Sequence, residues 1–361
     1  MSEGTEQVEE PSLSLDSVLE RLRDWYHVPA LAIIVGFMLW IRGRNYENFI
    51  QNGQVYFSGN DAWYHLREIS YTVRHWPQTM PYDPWTGFPV GSSVGQFGTL
   101  YDQIVATAAL IVGLGSPSDH TVALTLLFTP VVFGALIAVP VYFMGKLLGR
   151  SRLAGVFAAL VLALLPGLFL GRSIVGAADH NIAEPFFQSI AVLAMMVALV
   201  AAERDKPIYE QVIARDFSNL RSPLGWSALA GFAMALYLWT WPPAVLLTGI
   251  FGAFFLVKLL GDYYRGASPE HVAFVAVVSM SVAGVLSLGS LQMAGFSATH
   301  ASLLQPFLAF AVAVGAAFMA WLAREWDDRD LPDSGIQSPS SASSSSVQAS
   351  SRSFFPACSS S

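Results

Sequence analysis

Residues 222–257 read SPLGWSALAGFAMALYLWTWPPAVLLTGIFGAFFLV, with no Asp, Glu, Lys or Arg over 36 positions. A single helix of that length would reach about 54 Å at ~1.5 Å per residue. That far exceeds a hydrocarbon core of ~30 Å. Trp241-Pro242-Pro243 interrupts the run, because proline lacks an amide donor and clashes with the turn before it. The stretch therefore reads as a helical hairpin of two membrane spans. The same search finds charge-free runs at Trp25–Ile41, His120–Gly145, Leu153–Gly171 and Pro185–Ala202. His271–Ala323 is another, and it breaks around Ser287–His300, where Gly, Ser, Gln and Thr collect. The chain reads as an all-α polytopic membrane protein of about eight spans.

Composition supports that class. Of 361 residues, 53% are apolar and only 12% charged, against about 25% charged in ordinary soluble domains. The mean hydropathy is +0.48. The 24 Phe, 10 Trp and 12 Tyr exclude disorder for the bulk of the chain. The single Cys358 excludes a disulfide scaffold. A formal charge of −7 argues against nucleic acid as a partner. With 16 Arg and 3 Lys, the acidic balance suits either a high-salt organism or a GC-rich genome. Residues 1–20 are acidic and polar, so no cleavable signal peptide is expected.

Ile104–Gly115 is apolar but short, and reads as interfacial or re-entrant rather than spanning. The positive-inside rule agrees. With an inside N-terminus, the basic loops 146–152, 203–221 and 258–270 and the tail after 323 all fall inside. The loop 42–119 is then a large external one, with 172–184 on the same face. Arg42 and Arg44 oppose the scheme weakly at the start of the long loop.

Two external loops carry the ionisable residues. The first holds Gly59-Asn60-Asp61-Ala62-Trp63-Tyr64-His65-Leu66-Arg67, and Asp61 could bind a hard divalent cation or cap a helix. The second runs from Arg172 through Asp179-His180-Asn181 to Glu184, between two apolar helices. Ionisable groups there are costly and point to function, although Asp179 and Glu184 also suit a helix start. Asp61, Asp179 and His180 converging on one face could hold a single Mg2+ or Mn2+ with open positions. Arg172 could contact a phosphate or extend to the interface. His65 and Glu184 complete the set of candidate substrate-binding groups. Tyr82–Gly91 and Gly95–Leu100, rich in Gly, Pro and aromatics, read as ordered surface turns. There is no phosphate-cradling glycine loop, HExxH or CxxC.

On these residues the sequence resembles the catalytic subunit of oligosaccharyltransferases, closest to the archaeal, and haloarchaeal, AglB type. Gly59–Arg67 looks like that family's first DXD-type motif. Pro81-Tyr82-Asp83 and Phe88-Pro89-Val90-Gly91 resemble the rest of its first external loop, and Asp179-His180-Asn181 falls at its second DXD-type motif. The resemblance covers about residues 24–330. It implies a GT-C fold and protein N-glycosylation. An oligosaccharide would move from a dolichol-linked phosphate or diphosphate to the Asn of an Asn-X-Ser/Thr sequon in an acceptor polypeptide. By the same resemblance Asp61 would bind the cation and help hold the acceptor amide, and Asp179 would be a second ligand. The family usually places an acid or His two positions after that Asp. Asn181 stands there in this chain, leaving His180 or Glu184 as substitutes.

The family continues with a Thr-Ile-X-Glu-type loop and a soluble domain bearing Trp-Trp-Asp-Tyr-Gly, and neither motif occurs here. Residues 331–361 hold 14 Ser and read as a disordered linker, from a frameshifted or truncated gene or from a short paralogue. The expectation is an acidic cytoplasmic segment 1–24, a membrane domain 25–330 and this tail. The chain would sit in the cell membrane with its site on the external face, as an incomplete and poorly active copy. A GT-C enzyme acting on a lipid acceptor is the alternative. A transporter or scaffold is a third reading, although the charges here sit at helix ends rather than mid-span.

Overall fold

The computed structural model of the chain describes residues 25–204 and 207–328. The expected segments 1–24 and 331–361 lie outside the described residues. Thirteen helices of six residues or more are described, most of them made where apolar residues run unbroken. The first, α1, spans His27–Gly43 and buries Ile34, Met38 and Arg42, spaced four apart along one stripe. A hairpin of β1, Ile50–Gln51, and β2, Gln54–Val55, follows. Its turn is Asn52-Gly53, both at positive φ, the pairing that a tight hairpin turn requires.

The expected external loop is a folded cap. It contains α2 (Asp61–His75), a second hairpin of Tyr82–Asp83 and Ser92–Ser93, and α3 (Leu100–Val112). At ~1.5 Å per residue α3 is about 20 Å long, too short for a ~30 Å core. It instead packs on α2 and on α4 (Asp119–Leu136), burying Tyr101, Asp102, Val105, Ala106 and Ala109.

A long segment joins α4 through Ile137 to α5 (Ala138–Leu148). The expected span Leu153–Gly171 becomes α6 (Arg152–Leu164), a break, and α7 (Leu168–Ser173). The break falls at Leu165-Pro166-Gly167, because Leu165 before proline is held extended and Gly167 takes φ 83. Then come α8 (Ala183–Arg204), α9 (Ile208–Ala214), α10 (Phe217–Thr240), α11 (Val245–Tyr264), α12 (Glu270–Leu288) and α13 (Leu304–Asp328). The hairpin break falls at Trp241-Pro242-Pro243, as the sequence requires.

Among the described residues, five helices are long and apolar enough to cross a membrane: Asp119–Leu148, His180–Arg204, Pro242–Tyr264, Glu270–Leu288 and Leu304–Trp326. The other three expected spans coincide with α1, α6 and α10. The first two are short, and α10 opens on polar Ser218, Asn219 and Arg221. Large apolar side chains such as Leu246, Val257, Phe307 and Val314 lie exposed on the outside, as a lipid-facing surface demands.

The core is built from α8, α10 and α12, which pack on one another. Their facing residues are small: Ala191, Ala194 and Ala198; Ala230 and Ala233; Ala273, Ala276 and Ala283. Small residues let backbones approach, which drives helix association in lipid. Gly231 is the closest point, where a Cβ would sit 2.2 Å from the Ser279 carbonyl oxygen. Overpacking of this kind costs about 1–3 kcal/mol. Gly231→Ala is therefore expected to lower the melting temperature of the detergent-solubilised chain. Gly225→Ala on the same helix meets nothing within 4 Å and should not lower it. Equal shifts for the two variants would remove this account of the core.

Candidate functional site

Two chain segments far apart in sequence meet through one carbonyl. The Ser58 amide and hydroxyl both donate to the Gly176 oxygen, at 3.0 and 2.8 Å. Gly176 has φ 89, and a Cβ on it would lie 2.2 Å from the Phe49 ring, so glycine is required. Three residues beyond each side of this contact stand Asp61 and Asp179. The second loop is anchored from below as well. The Val175 amide donates to the Arg42 carbonyl at 2.9 Å, and Arg42 Nε donates to Ser173 Oγ at 2.8 Å. Arg42, read as a loop charge, is instead 1% exposed and lies over the Phe169 ring. It is held there by its bond to Ser173 and the Phe169 ring rather than by solvent.

His65 on α2 lies at the centre. Its Nδ1 is 2.7 Å from Asp102 Oδ1 on α3. Its Nε2 is 3.2 Å from Asp179 Oδ1 and 3.1 Å from His180 Nδ1. His180 Nδ1 is 2.7 Å from the same Asp179 oxygen, and its Nε2 lies 3.5 Å from Glu184 on the first turn of α8. Asn181 donates its amide to the other Asp179 oxygen. Asp179 precedes the 3-10 turn His180–Ile182 but does not cap it; its carboxylate is spent on the two imidazoles and Asn181. One donor atom from each of His65, Asp179 and His180 fits within 4.8 Å of the others, a group able to hold a divalent metal ion.

The structure thus brings together His65, Asp179 and His180, with Glu184 beside them. Asp61, the first residue of α2 and one turn before His65, is exposed and lies outside that group. Arg172 is exposed too. It lines a groove of about 250 Å3 with Leu168, Phe169, Asn181, Glu184 and Gln188. Arg67 is fully engaged by buried Asp83, at 3.3 Å from Nε and 2.6 Å from Nη2, which pins the turn after α2.

The sequence reading missed two buried acids, Asp102 and Glu68, each 1% exposed. The signal was present, because each lies on an otherwise inward stripe. Asp102 shares its face with Val105, Ala106 and Ala109, and Glu68 shares its face with His65 and Thr72. Both Glu68 oxygens and Asp102 Oδ2 lack a hydrogen-bond partner among the described residues.

Burial and the neighbouring Asp102 and Asp83 push the Glu68 carboxyl up to about 8. Burial opposes charge on His65, but Asp102 and Asp179 outweigh it and push the ring up to about 10. Asp179 is held well below the usual carboxylate range, since its contacts with His180 and His65 outweigh its burial.

The chain is similar to known proteins in sequence and in fold. Residues 31–324 match the family described as oligosaccharyl transferase STT3, N-terminal. The dolichyl-monophosphooligosaccharide–protein glycotransferase AglB of Haloferax volcanii is 57% identical over 317 residues, which is 88% of this chain and 30% of that protein. The archaeal oligosaccharyltransferase AglB from Archaeoglobus fulgidus has been solved in complex with an inhibitory peptide and a dolichol-phosphate. It superposes with a TM-score of 0.72 at 28% identity, over 85% of this chain and 34% of that one. The oligosaccharyltransferase of that organism in complex with Zn and sulfate gives a TM-score of 0.70 at 29% identity, over 83% of this chain and 36% of that one. The chain therefore spans about a third of the length of these relatives. Since the family match takes in both loops of the site and the bundle beneath them, this chain belongs to the oligosaccharyl transferase STT3 family.

Proposed function

We propose that this chain is the membrane region of an enzyme that moves an oligosaccharide from a dolichol-phosphate-type carrier to the Asn of sequons in surface proteins. The observation that carries the reading is the His65–Asp179–His180 group beside the Arg172 groove, at the meeting of the two loops. Residues 25–330 form the membrane domain, loop 42–119 covers its outer face, and the site faces outward in the cell membrane.

The donor set fits a divalent cation. Two imidazole nitrogens and a carboxylate suit Mn2+ or Zn2+ better than Mg2+, which prefers oxygen. His65, Asp179 and His180 would hold it, with Asp61 reaching in from the same face of α2. When bound, such an ion supplies electrophilic stabilisation of a phosphate leaving group. The chain's own residues do the rest. Arg172 pairs with the carrier phosphate, while Leu168 and Phe169 border the lipid beside it. Asp61, exposed at the helix start, accepts a hydrogen bond from the acceptor amide. The C1–O bond breaks with its electron pair leaving on the lipid phosphate, a C1–N bond forms, and the amide proton passes to the Asp61 carboxylate and on to solvent.

The test is a chimera in which residues 25–328 replace the matching region of Haloferax volcanii AglB, assayed for glycosylation of a sequon reporter. Transfer is expected, and Asp61→Ala should lower it by about a hundredfold or more. Undiminished transfer in that variant would remove Asp61 from the site, and transfer only to lipid would overturn the polypeptide acceptor.

The divalent centre also predicts a pH dependence. Below about 10 His65 carries a proton on Nε2 that a metal must displace, so apparent affinity rises with pH by up to about tenfold per unit. Asp179 stays ionised throughout and contributes nothing to this slope. Mn2+ titrations of the chain between pH 6 and 8.5 check it, and a flat profile would exclude His65 as a ligand.

A further inference from the structure

The short helix α3 neither crosses the membrane nor contributes a residue to the group His65, Asp179 and His180, yet it is packed tightly on α2. Its one acid, Asp102, is 1% exposed and lies against Tyr101, itself 1% exposed. Among the described residues, the single hydrogen bond of the Asp102 carboxylate is to His65 Nδ1, at 2.7 Å, and Oδ2 has no partner. Placing a carboxylate there costs desolvation, and its close contact with His65 is what offsets that cost.

An imidazole has two nitrogens, and the partner of one decides what the other can do. A carboxylate on Nδ1 keeps the proton there, so that loss of the other proton frees the Nε2 lone pair for a metal. His65 Nε2 is the atom that lies 3.2 Å from Asp179 and 3.1 Å from His180. The rings of Tyr101 and Tyr64, edge-on at 5.0 and 5.2 Å, close the sides of the imidazole but give it no polar contact. The groups facing His65 are therefore Asp102 below, Asp179 and His180 above, and Glu68 one turn along α2.

From this arrangement we infer that Asp102 is a positioning residue. It fixes the plane and tautomer of His65 so that Nε2 serves as a ligand atom for a divalent cation shared with Asp179 and His180. The inference rests on the divalent-centre reading given above. It assigns α3 a purpose as well: the helix is the platform that delivers one carboxylate to the back of one histidine.

Two measurements on the full 361-residue chain in detergent test it. The first is Mn2+ binding, read from loss of the free-ion EPR signal, for wild type, Asp102→Asn, Asp102→Leu, His65→Ala and the double variant His65→Ala with Asp102→Leu. Asp102→Leu should weaken Mn2+ by about ten- to a hundredfold. Asp102→Asn, whose amide oxygen still accepts from Nδ1, should recover part of that loss. The double variant should bind no more weakly than His65→Ala alone, because Asp102 acts only through His65. Losses that add would overturn the inference, since they make Asp102 a remote charge rather than a positioner.

The second measurement needs no metal. A downfield Nδ1–H proton resonance, assigned by its loss in His65→Ala, is expected in the wild type and should vanish in Asp102→Leu. Its absence from the wild type overturns the inference directly, and the Asp102→Asn spectrum decides the matter should the leucine variant fail to fold. A wild type that shows the resonance but binds no Mn2+ would instead overturn the divalent-centre reading, and with it any part for Asp102 in ligation.

Discussion

The Gly176 carbonyl, holding the Ser58 amide and hydroxyl, is the contact on which the site depends. A bilayer allows ionisable side chains only where helices end or water reaches. The chemistry of this chain therefore has to be assembled from loops, and loops are held only by what they bond to. Ser58 and Gly176 are 118 residues apart, yet the two bonds between them set the entry to α2 and the approach to α8. Arg42 and Leu127 grip the same second loop from beneath through the amides of Val175 and Gly176. With one loop fixed to the other and to the bundle, His65 on α2 reaches Asp179 and His180 without any contact between the long helices having to change.

Much of this was legible in the sequence, for a specific reason. Membrane helices announce themselves by the absence of charge, so the run 222–257 reads as two helices broken at Trp-Pro-Pro, and the structure breaks there, between Phe217–Thr240 and Val245–Tyr264. The two loops were legible because Asp179-His180-Asn181 and Asp61–His65 are islands of chemistry in apolar surroundings. What a linear reading cannot give is the third dimension of the cap. Asp102 stands at the edge of a short apolar run and Glu68 inside a polar segment, so neither declares itself in a linear reading. Both stand inward because α3 lies against α2, and that packing joins residues 37 apart through His65 and Asp102. Arg42 misled for the same reason, since a guanidinium at a helix end is exposed by default and here it is covered by Ser173 and Phe169.

The roles of the candidate residues also sort by geometry. Asp61 and His65 are one turn apart on one helix, so both can face a shared point, but only His65 is buried. Glu184 touches the far nitrogen of His180 rather than the cluster itself, and Asn181 is engaged with Asp179. Of the alternatives for the position that the family fills with an acid or His, His180 is the one whose nitrogen already lies among the donors.

The charges of the site suggest how it stays folded while waiting for its ligands. Without a cation the cluster sets Asp102 and Asp179 against a His65 ring that keeps its proton, pushed up to about 10. Glu68, pushed up to about 8, remains largely neutral near pH 7, so the buried layer is spared a third negative charge. The proton on His65 Nε2 is thus a placeholder that balances the two carboxylates. Exchanging it for a divalent ion adds one net positive charge at the place where Arg172 already lies beside the groove.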